Sequence, residues 1–260
     1  MIRIFTSFFD VQDAQRRGEL IECLRRNLDL PEVGNVCLLL EGTVAPLEHP
    51  KLLTRNINTR PNYQDFFQWA NELAGDADFT VVCNSDICFD SGLANLTEWM
   101  TPDHCAAMAR WQMNEDGSTK LFYRNDSQDT WVFRGPIRNV VSDYPVGVAR
   151  CDNRILYELR QAGYQVINPS FSIRSYHLHA GELDEYHRRD PNFVERPYSY
   201  LWPHNLKGPF ATLIHNVLHP NRRLGWRIDS KKVETFLPVR VARRVIRLLT
   251  GPPQKEATTA

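Results

Sequence analysis

The amino-acid sequence predicts an α/β domain with a mostly parallel mixed sheet flanked by helices. Three observations carry that expectation. Within the first 90 residues the segments run strand, helix, strand, strand, helix, strand, the alternation that builds parallel sheets with helical crossovers. One of those strands, residues 36–40, is an unbroken apolar run, the signature of a strand covered on both faces. The helical stretches between them are apolar on one side only.

Each element follows from its residues. Residues 2–8 are a β-branched and aromatic run that reads as a first buried strand. Over 13–28, Leu20, Ile21, Leu24 and Leu28 recur at helical spacing, with Arg16, Arg17, Arg25 and Arg26 on the other side, an amphipathic surface helix. Residues 36–40 form a second buried strand and 51–57 a shorter third. Tyr63, Phe66, Phe67, Ala70 and Leu73 share one face of a helix over 62–73, with Pro61 at its start. Residues 79–83 are a buried strand leading into Asn84-Ser85-Asp86. Further strands are expected over 105–111, 130–133, 165–167 and 171–176, and a helix over 153–162. Beyond Pro191 the chain turns rich in Pro, Tyr, Trp and His, which predicts irregular structure packed across the domain.

Composition narrows the class. The chain has 260 residues, 42% hydrophobic, which excludes wholesale disorder. No stretch approaches the roughly 18–20 apolar residues that span a bilayer. The first twenty residues hold no apolar run of signal-peptide length, so a cytoplasmic protein is expected. Its six cysteines contain no CxxC pair and fall mostly in apolar runs, as buried thiols do. Thirty-one basic residues balance thirty-one acidic ones, and no nucleic-acid partner is expected. The balance is uneven along the chain. From Pro220 onward ten basic residues face three acidic ones, a tail of +7 behind a body of −7.

Several familiar catalytic and phosphate-binding motifs are missing: the chain has no GxxxxGK[ST], no GxGxxG, no HExxH and no GxSxG. What remains is Asn84-Ser85-Asp86 at the end of a buried strand, with Asp90 four residues on. A carboxylate there is placed to hold Mg²⁺ or Mn²⁺ against two phosphates, since such ions use one or two protein carboxylates and take the rest from phosphate and water. An Asp that only caps a turn fits the same triplet. Ser127-Gln128-Asp129 precedes a strand and Asp152 opens a helix, where capping is the common role. His177 and His179 share one side if their strand continues.

In order, IRIFTSFF, RPNYQDFF, NSDICFD, SQDTWVF, CDNRILYELRQAGYQVINPS and HLHAGELDEY resemble bacterial glycosyltransferase-like proteins related to the GT-A-type nucleotide-sugar transferases. The resemblance covers residues 1–206 as one Rossmann-like domain and leaves 207–260 as an extension. The family's Asp-x-Asp stands here as Asn84-Ser85-Asp86, with only the last acid kept. The resemblance implies that Asp86 holds a divalent metal, Mn or Mg, on the donor diphosphate, and that His177 or His179 completes that site. It implies donor contacts from Thr6, Ser7, Phe8, Arg60, Asn84 and Ser85. It gives Asp152 as the base for the acceptor hydroxyl, with Asp129 second or, with Gln128, on the donor sugar. The implied activity is sugar transfer from a nucleotide-sugar donor to a glycan or lipid-linked acceptor. A nucleotidyltransferase and a non-catalytic nucleotide- or sugar-binding module are the alternatives.

Residues 239–249 place Arg240, Arg243, Arg244 and Arg247 in one helical stripe opposite an apolar side. Such a helix lies on an anionic membrane surface or packs on a partner. Peripheral membrane association and a disordered end after Gly251 are the expectations.

Overall fold

The computed structural model describes residues 1–114, 116–178, 193–207 and 209–219. All of them belong to one compact unit, Met1–Arg227; a second unit, Ile228–Ala260, lies outside the described residues. So do His179, the helix expected over 239–249 and the expected disordered end.

The chain opens with β1 (Ile2–Phe9), α1 (Ala14–Asp29), β2 (Val33–Glu41), β3 (Leu52–Ile57), α2 (Tyr63–Leu73) and β4 (Phe79–Cys83). It continues through β5 (Ile87–Phe89), a 3₁₀ helix (Ser91–Glu98), β6 (His104–Met108), β7 (Trp111–Met113), β8 (Thr119–Leu121) and β9 (Thr130–Arg134). Then come α3 (Cys151–Gln161), β10 (Gln165–Ile167), β11 (Ser175–Leu178) and α4 (Pro209–Leu218). The main sheet has seven strands in the order β10-β6-β9-β4-β1-β2-β3. Only β9 runs antiparallel to its neighbours. A second sheet, β5-β11-β7-β8, carries the late strands.

Local chemistry sets the ends of the first two helices. Asp13 caps α1 by accepting from the Arg16 N–H at 2.6 Å, and α1 stops at Leu30, the residue before Pro31. Asp65 reaches back to the Asn62 N–H at 2.7 Å, so Asn62 caps α2 and Pro61 stands one residue outside it.

The sheet divides two cores. On one face Ile2, Ile4, Phe8, Val36, Leu38 and Val81 pack with Leu20, Leu24 and Leu28 of α1. On the other, Phe5, Leu39, Val82, Trp131 and Phe133 pack with Phe66, Phe67 and Trp69 of α2 and Ile155, Leu156 and Leu159 of α3. The result is a three-layer arrangement of helices on both faces of a mixed sheet. All six cysteines are free and buried. The irregular stretch 193–207 lies across the domain as expected, with the Leu201 carbonyl accepting from the Gln128 and Asn168 amides and the His204 ring accepting from the Asn168 N–H.

Two elements differ from expectation. The strand expected over 105–111 is two strands in different sheets, β6 ending at Met108 and β7 starting at Trp111. The strand expected over 171–176 starts only at Ser175, because Ser172 and Ile173 both turn back to the Pro169 carbonyl. The helix α4 was not anticipated.

Candidate functional site

The chain leaves β1 toward β2 on one side and returns by α2 to β4 on the other, so the switch point of the sheet lies between β1 and β4. In open α/β sheets a ligand sits there, outside the carboxyl ends of the strands. A cleft of about 230 Å³ occupies this place. Ser7 and Phe9 of β1, Glu41 of β2 and Cys83 of β4 reach it from the sheet, with Asn84, Ser85 and Asp86 just beyond β4. Arg60, Pro61 and Phe66 wall it from the α2 side, Arg16 from α1, and Val146 and Gly147 from the segment before α3. Gly147 takes φ 74 there, a backbone region that suits glycine.

The turn after β4 is held from several directions. Asn84 C=O accepts from the Ile87 N–H at 3.2 Å, and the Asp86 carbonyl accepts from the Leu178 N–H at 3.1 Å. Ser85 and Ser7 pair their hydroxyls across the cleft floor at 3.2 Å. The buried Asp86 carboxylate uses one oxygen, Oδ2, for both the Arg16 guanidinium and His177 Nε2, the latter at 3.1 Å. His177 is steadied from behind by Gln112 Oε1 at 2.9 Å from Nδ1. Burial pushes the Asp86 carboxyl up, but the His177 bond and charge and the Arg16 guanidinium outweigh it and hold it well below the usual carboxylate range.

The second oxygen of Asp86, Oδ1, is buried without a hydrogen-bond partner. A buried acceptor left open is costly, and it is the kind of atom a cation takes up. Among the described residues no cluster of three or more His, Cys, Asp and Glu forms a cage. An ion that draws most of its shell from phosphate and water needs no such cage, so the open Asp86 oxygen fits Mn²⁺ or Mg²⁺, while both His177 nitrogens are already hydrogen-bonded.

Asn84 links this cleft to a second group. Its amide donates to Asp129 Oδ1 at 2.9 Å, while Arg110 donates to both Asp129 oxygens at 3.1 and 3.2 Å. Asp152, in the first turn of α3, receives Tyr63 Oη at 3.4 Å and the Cys151 thiol at 3.3 Å. Burial, with the charge of Asp129 beside it, pushes the Asp152 carboxyl up to about 8, against the Cys151 bond and a hydrogen bond from the Gln128 backbone N–H. Arg150, just before α3, holds φ 69, a left-handed conformation that costs a non-glycine residue about 1–3 kcal/mol.

The expected site residues therefore divide. Ser7, Arg60, Asn84, Ser85 and Asp86 meet in the cleft, and His177 reaches Asp86. Asp129 and Asp152 form an acid pair next to it. Thr6 and Phe8 are buried instead, Phe8 in the α1-side core. Strand alternation explains this: Ser7 and Phe9 point to the cleft, so their even-numbered neighbours cannot. Gln128 is fully buried and its amide faces the carbonyls of Asn125 and Leu201, so its backbone rather than its side chain serves the acid pair.

Arg16, Glu41, Arg110 and Tyr63 were not anticipated as site residues. Arg16 carried a signal read the other way, a charge on the polar face of an amphipathic helix. The others sit in elements whose facing residues lie far off in sequence.

No protein-family model matches the chain, and no curated protein sequence matches it. Among solved structures the fold is similar to "Mannosyltransferase PcManGT from Pyrobaculum calidifontis in complex with GDP-Man and Mn2+", at 13% identity over 65% of this chain, with a TM-score of 0.41. The match spans 54% of that mannosyltransferase. The fold is also similar to 2-C-methyl-D-erythritol 4-phosphate cytidylyltransferase from Francisella tularensis, at 14% identity over 51% of this chain and 72% of that one, with a TM-score of 0.35. These likenesses are of fold. The architecture found, one Rossmann-like α/β domain with a mostly parallel sheet, is the one expected from the GT-A resemblance.

Proposed function

We propose that the protein is a glycosyltransferase that takes a nucleotide-sugar donor into the β1/β4 cleft and passes the sugar to an acceptor hydroxyl at the Asp129–Asp152 pair. The observation that carries this reading is the join between the two groups: Asn84 lines the cleft and donates to Asp129 at 2.9 Å. Donor and base are thereby neighbours.

The residues divide the work. Arg60, exposed at the cleft wall, gives the diphosphate a guanidinium fork. Ser7 and Ser85 offer hydroxyls to ribose or sugar, and Glu41 offers a carboxylate to a base edge or ribose. Asp86 would hold a divalent cation through its open oxygen, and the bound ion would supply charge neutralisation for the departing nucleoside diphosphate, with His177 fixing the carboxylate. Asp152, pushed up to about 8, is a base of useful strength near neutrality and removes the acceptor proton in an inverting displacement. Tyr63 and the Gln128 N–H aim its oxygens, and Arg110 with Asn84 fixes Asp129.

Nucleotidyl transfer is the second reading, because the same architecture serves it. The connection from β1 to α1 opposes that reading: residues 10–13 are Asp, Val, Gln and Asp, with no glycine and no cation to wrap a triphosphate. One assay separates the two. The protein is incubated with UDP-, GDP-, CMP- and dTDP-sugars and a mixed acceptor panel, and separately with nucleoside triphosphates and sugar 1-phosphates. Release of nucleoside mono- or diphosphate from a sugar nucleotide is expected. Release of pyrophosphate from the second mixture would sink glycosyl transfer.

The acceptor reading is a lipid-linked glycan at an anionic membrane surface. The exposed residues Phe210, Leu213, Ile214, Val217 and Leu218 make one apolar stripe on α4. The basic segment starting at Pro220 follows it directly.

A further inference from the structure

The Asp86 carboxylate already has a cation. Arg16 Nη2 sits on Oδ2, while Arg16 Nη1 is shared between Glu19 Oε2 at 3.1 Å and the Leu178 carbonyl at 3.3 Å. The Arg16 side chain is still one-quarter exposed and lines the cleft where the donor phosphates would lie. Two cations of total charge +3 cannot share one carboxylate without penalty. Even with water-like screening, a divalent ion about 4 Å from a guanidinium loses roughly thirtyfold in affinity. A diphosphate in the cleft offers that guanidinium a better-charged partner within the same space.

We infer that Arg16 is an exchangeable cation: it neutralises Asp86 in the free protein and passes to the donor diphosphate when a divalent ion takes the carboxylate. This rests on the donor-binding reading above and deepens it. In the free protein Arg16, beside His177, keeps the buried Asp86 from standing uncompensated. Once donor and ion are both present, two cations face the diphosphate instead of one. Donor and ion then favour each other's binding, and the coupling is reciprocal.

The signature is a substitution with opposite effects on two ligands. Removing the guanidinium relieves competition for the ion and deprives the phosphates of a partner, whereas loss of a merely structural residue weakens both. The test is calorimetry on the full chain with Mn²⁺ alone, and with UDP, GDP, CDP and dTDP at saturating Mn²⁺. Arg16→Gln should bind Mn²⁺ about thirtyfold tighter than the wild type and the bound nucleoside diphosphate about tenfold weaker. Arg16→Lys, which keeps the charge, should show a smaller gain for Mn²⁺. It also serves as the second variant if Arg16→Gln melts early.

The gain must vanish in Arg16→Gln/Asp86→Asn, since the competition is for that carboxylate. Mn²⁺ binding to Arg16→Gln no tighter than to the wild type overturns the inference, whether both proteins bind the ion or neither does. A gain that survives loss of Asp86 overturns it equally. The nucleotide arm judges the donor reading separately. Diphosphate binding with no Mn²⁺ gain leaves the donor cleft standing without the exchange. A Mn²⁺ gain with no nucleotide binding to any protein removes the donor reading.

Discussion

Asp152 carries its consequences in its proton. The folded protein keeps that proton to about pH 8, whereas an unfolded chain gives it up near about 3.9. Between those limits the folded state binds more protons, so this group's contribution to stability is complete at low pH and is lost as pH rises toward 8. Asp152→Asn, which cannot ionise, should melt within a degree or two of the wild type at pH 4 and clearly above it at pH 8.5. The same proton governs the chemistry. As a base Asp152 is competent only when ionised, so kcat/KM should climb about tenfold per pH unit below 8 and level off above. Asp152→Asn should lose that limb and about 10²–10⁴ of turnover while leaving nucleotide affinity unchanged. A variant that turns over normally would move the base elsewhere; one that melts below the wild type at pH 8.5 would remove the burial argument.

At the scale of elements, the strand that follows the Asp86 turn is clamped to helix α1 by a buried amide. Asn27 donates to the Ile87 carbonyl at 2.9 Å and accepts from the Phe89 N–H at 3.1 Å, so it pairs both outward groups of β5. Asn27→Leu keeps the volume but leaves both backbone groups buried and unpaired, at about 1–3 kcal/mol each. Urea unfolding should show a lower midpoint with an unchanged slope. An unchanged midpoint would mean that β5 finds other partners. This clamp also shows what could be read in advance. The strands β1, β2 and β4 and the helices α1, α2 and α3 were legible because a buried strand is uniformly apolar and a packed helix is apolar on one side. Asn27 was not legible, since a polar residue among Leu24 and Leu28 reads as the edge of the polar face. The same blindness hid Arg16, whose partner lies seventy residues on. Strand alternation was available from the start and would have favoured Phe9 over Phe8. The break between β6 and β7 was not, because the apolar run of residues 105–109 resumes at Trp111 with only Arg110 between.

For the whole molecule, the arithmetic of charge and the exposed face of α4 belong to one argument. Phe210, Leu213, Ile214, Val217 and Leu218 stand at i, i+3, i+4, i+7 and i+8, with exposures of 44–75%. Thr212 on the opposite side is buried against Asn205. Among the described residues no helix is long and apolar enough to cross a membrane. An exposed apolar stripe of this kind is the geometry of a helix that lies on a surface. An apolar stripe alone would meet any lipid. The +7 that begins at Pro220 adds a preference for anionic headgroups, at about 1 kcal/mol for each Lys or Arg near the surface. The −7 carried by the residues before Pro220 opposes it, so in the proposed reading the attraction rests on the apolar stripe of α4 and the charge of the tail. Two terms of different physical origin predict two different responses. Co-sedimentation with phosphatidylglycerol vesicles should be strong at low salt and fall steeply as the Debye length shrinks from about 30 Å at 0.01 M to about 8 Å at 0.15 M, while neutral phosphatidylcholine vesicles should retain little protein. Leu213→Ser with Val217→Ser should weaken binding at every salt concentration, because it removes the apolar term. Arg240, Arg243, Arg244 and Arg247 replaced by Gln should flatten the salt dependence without touching the remainder. Equal binding to both vesicle types, or a serine variant that binds as well as the wild type, would separate the activity from the membrane. The acceptor would then be sought among soluble glycans.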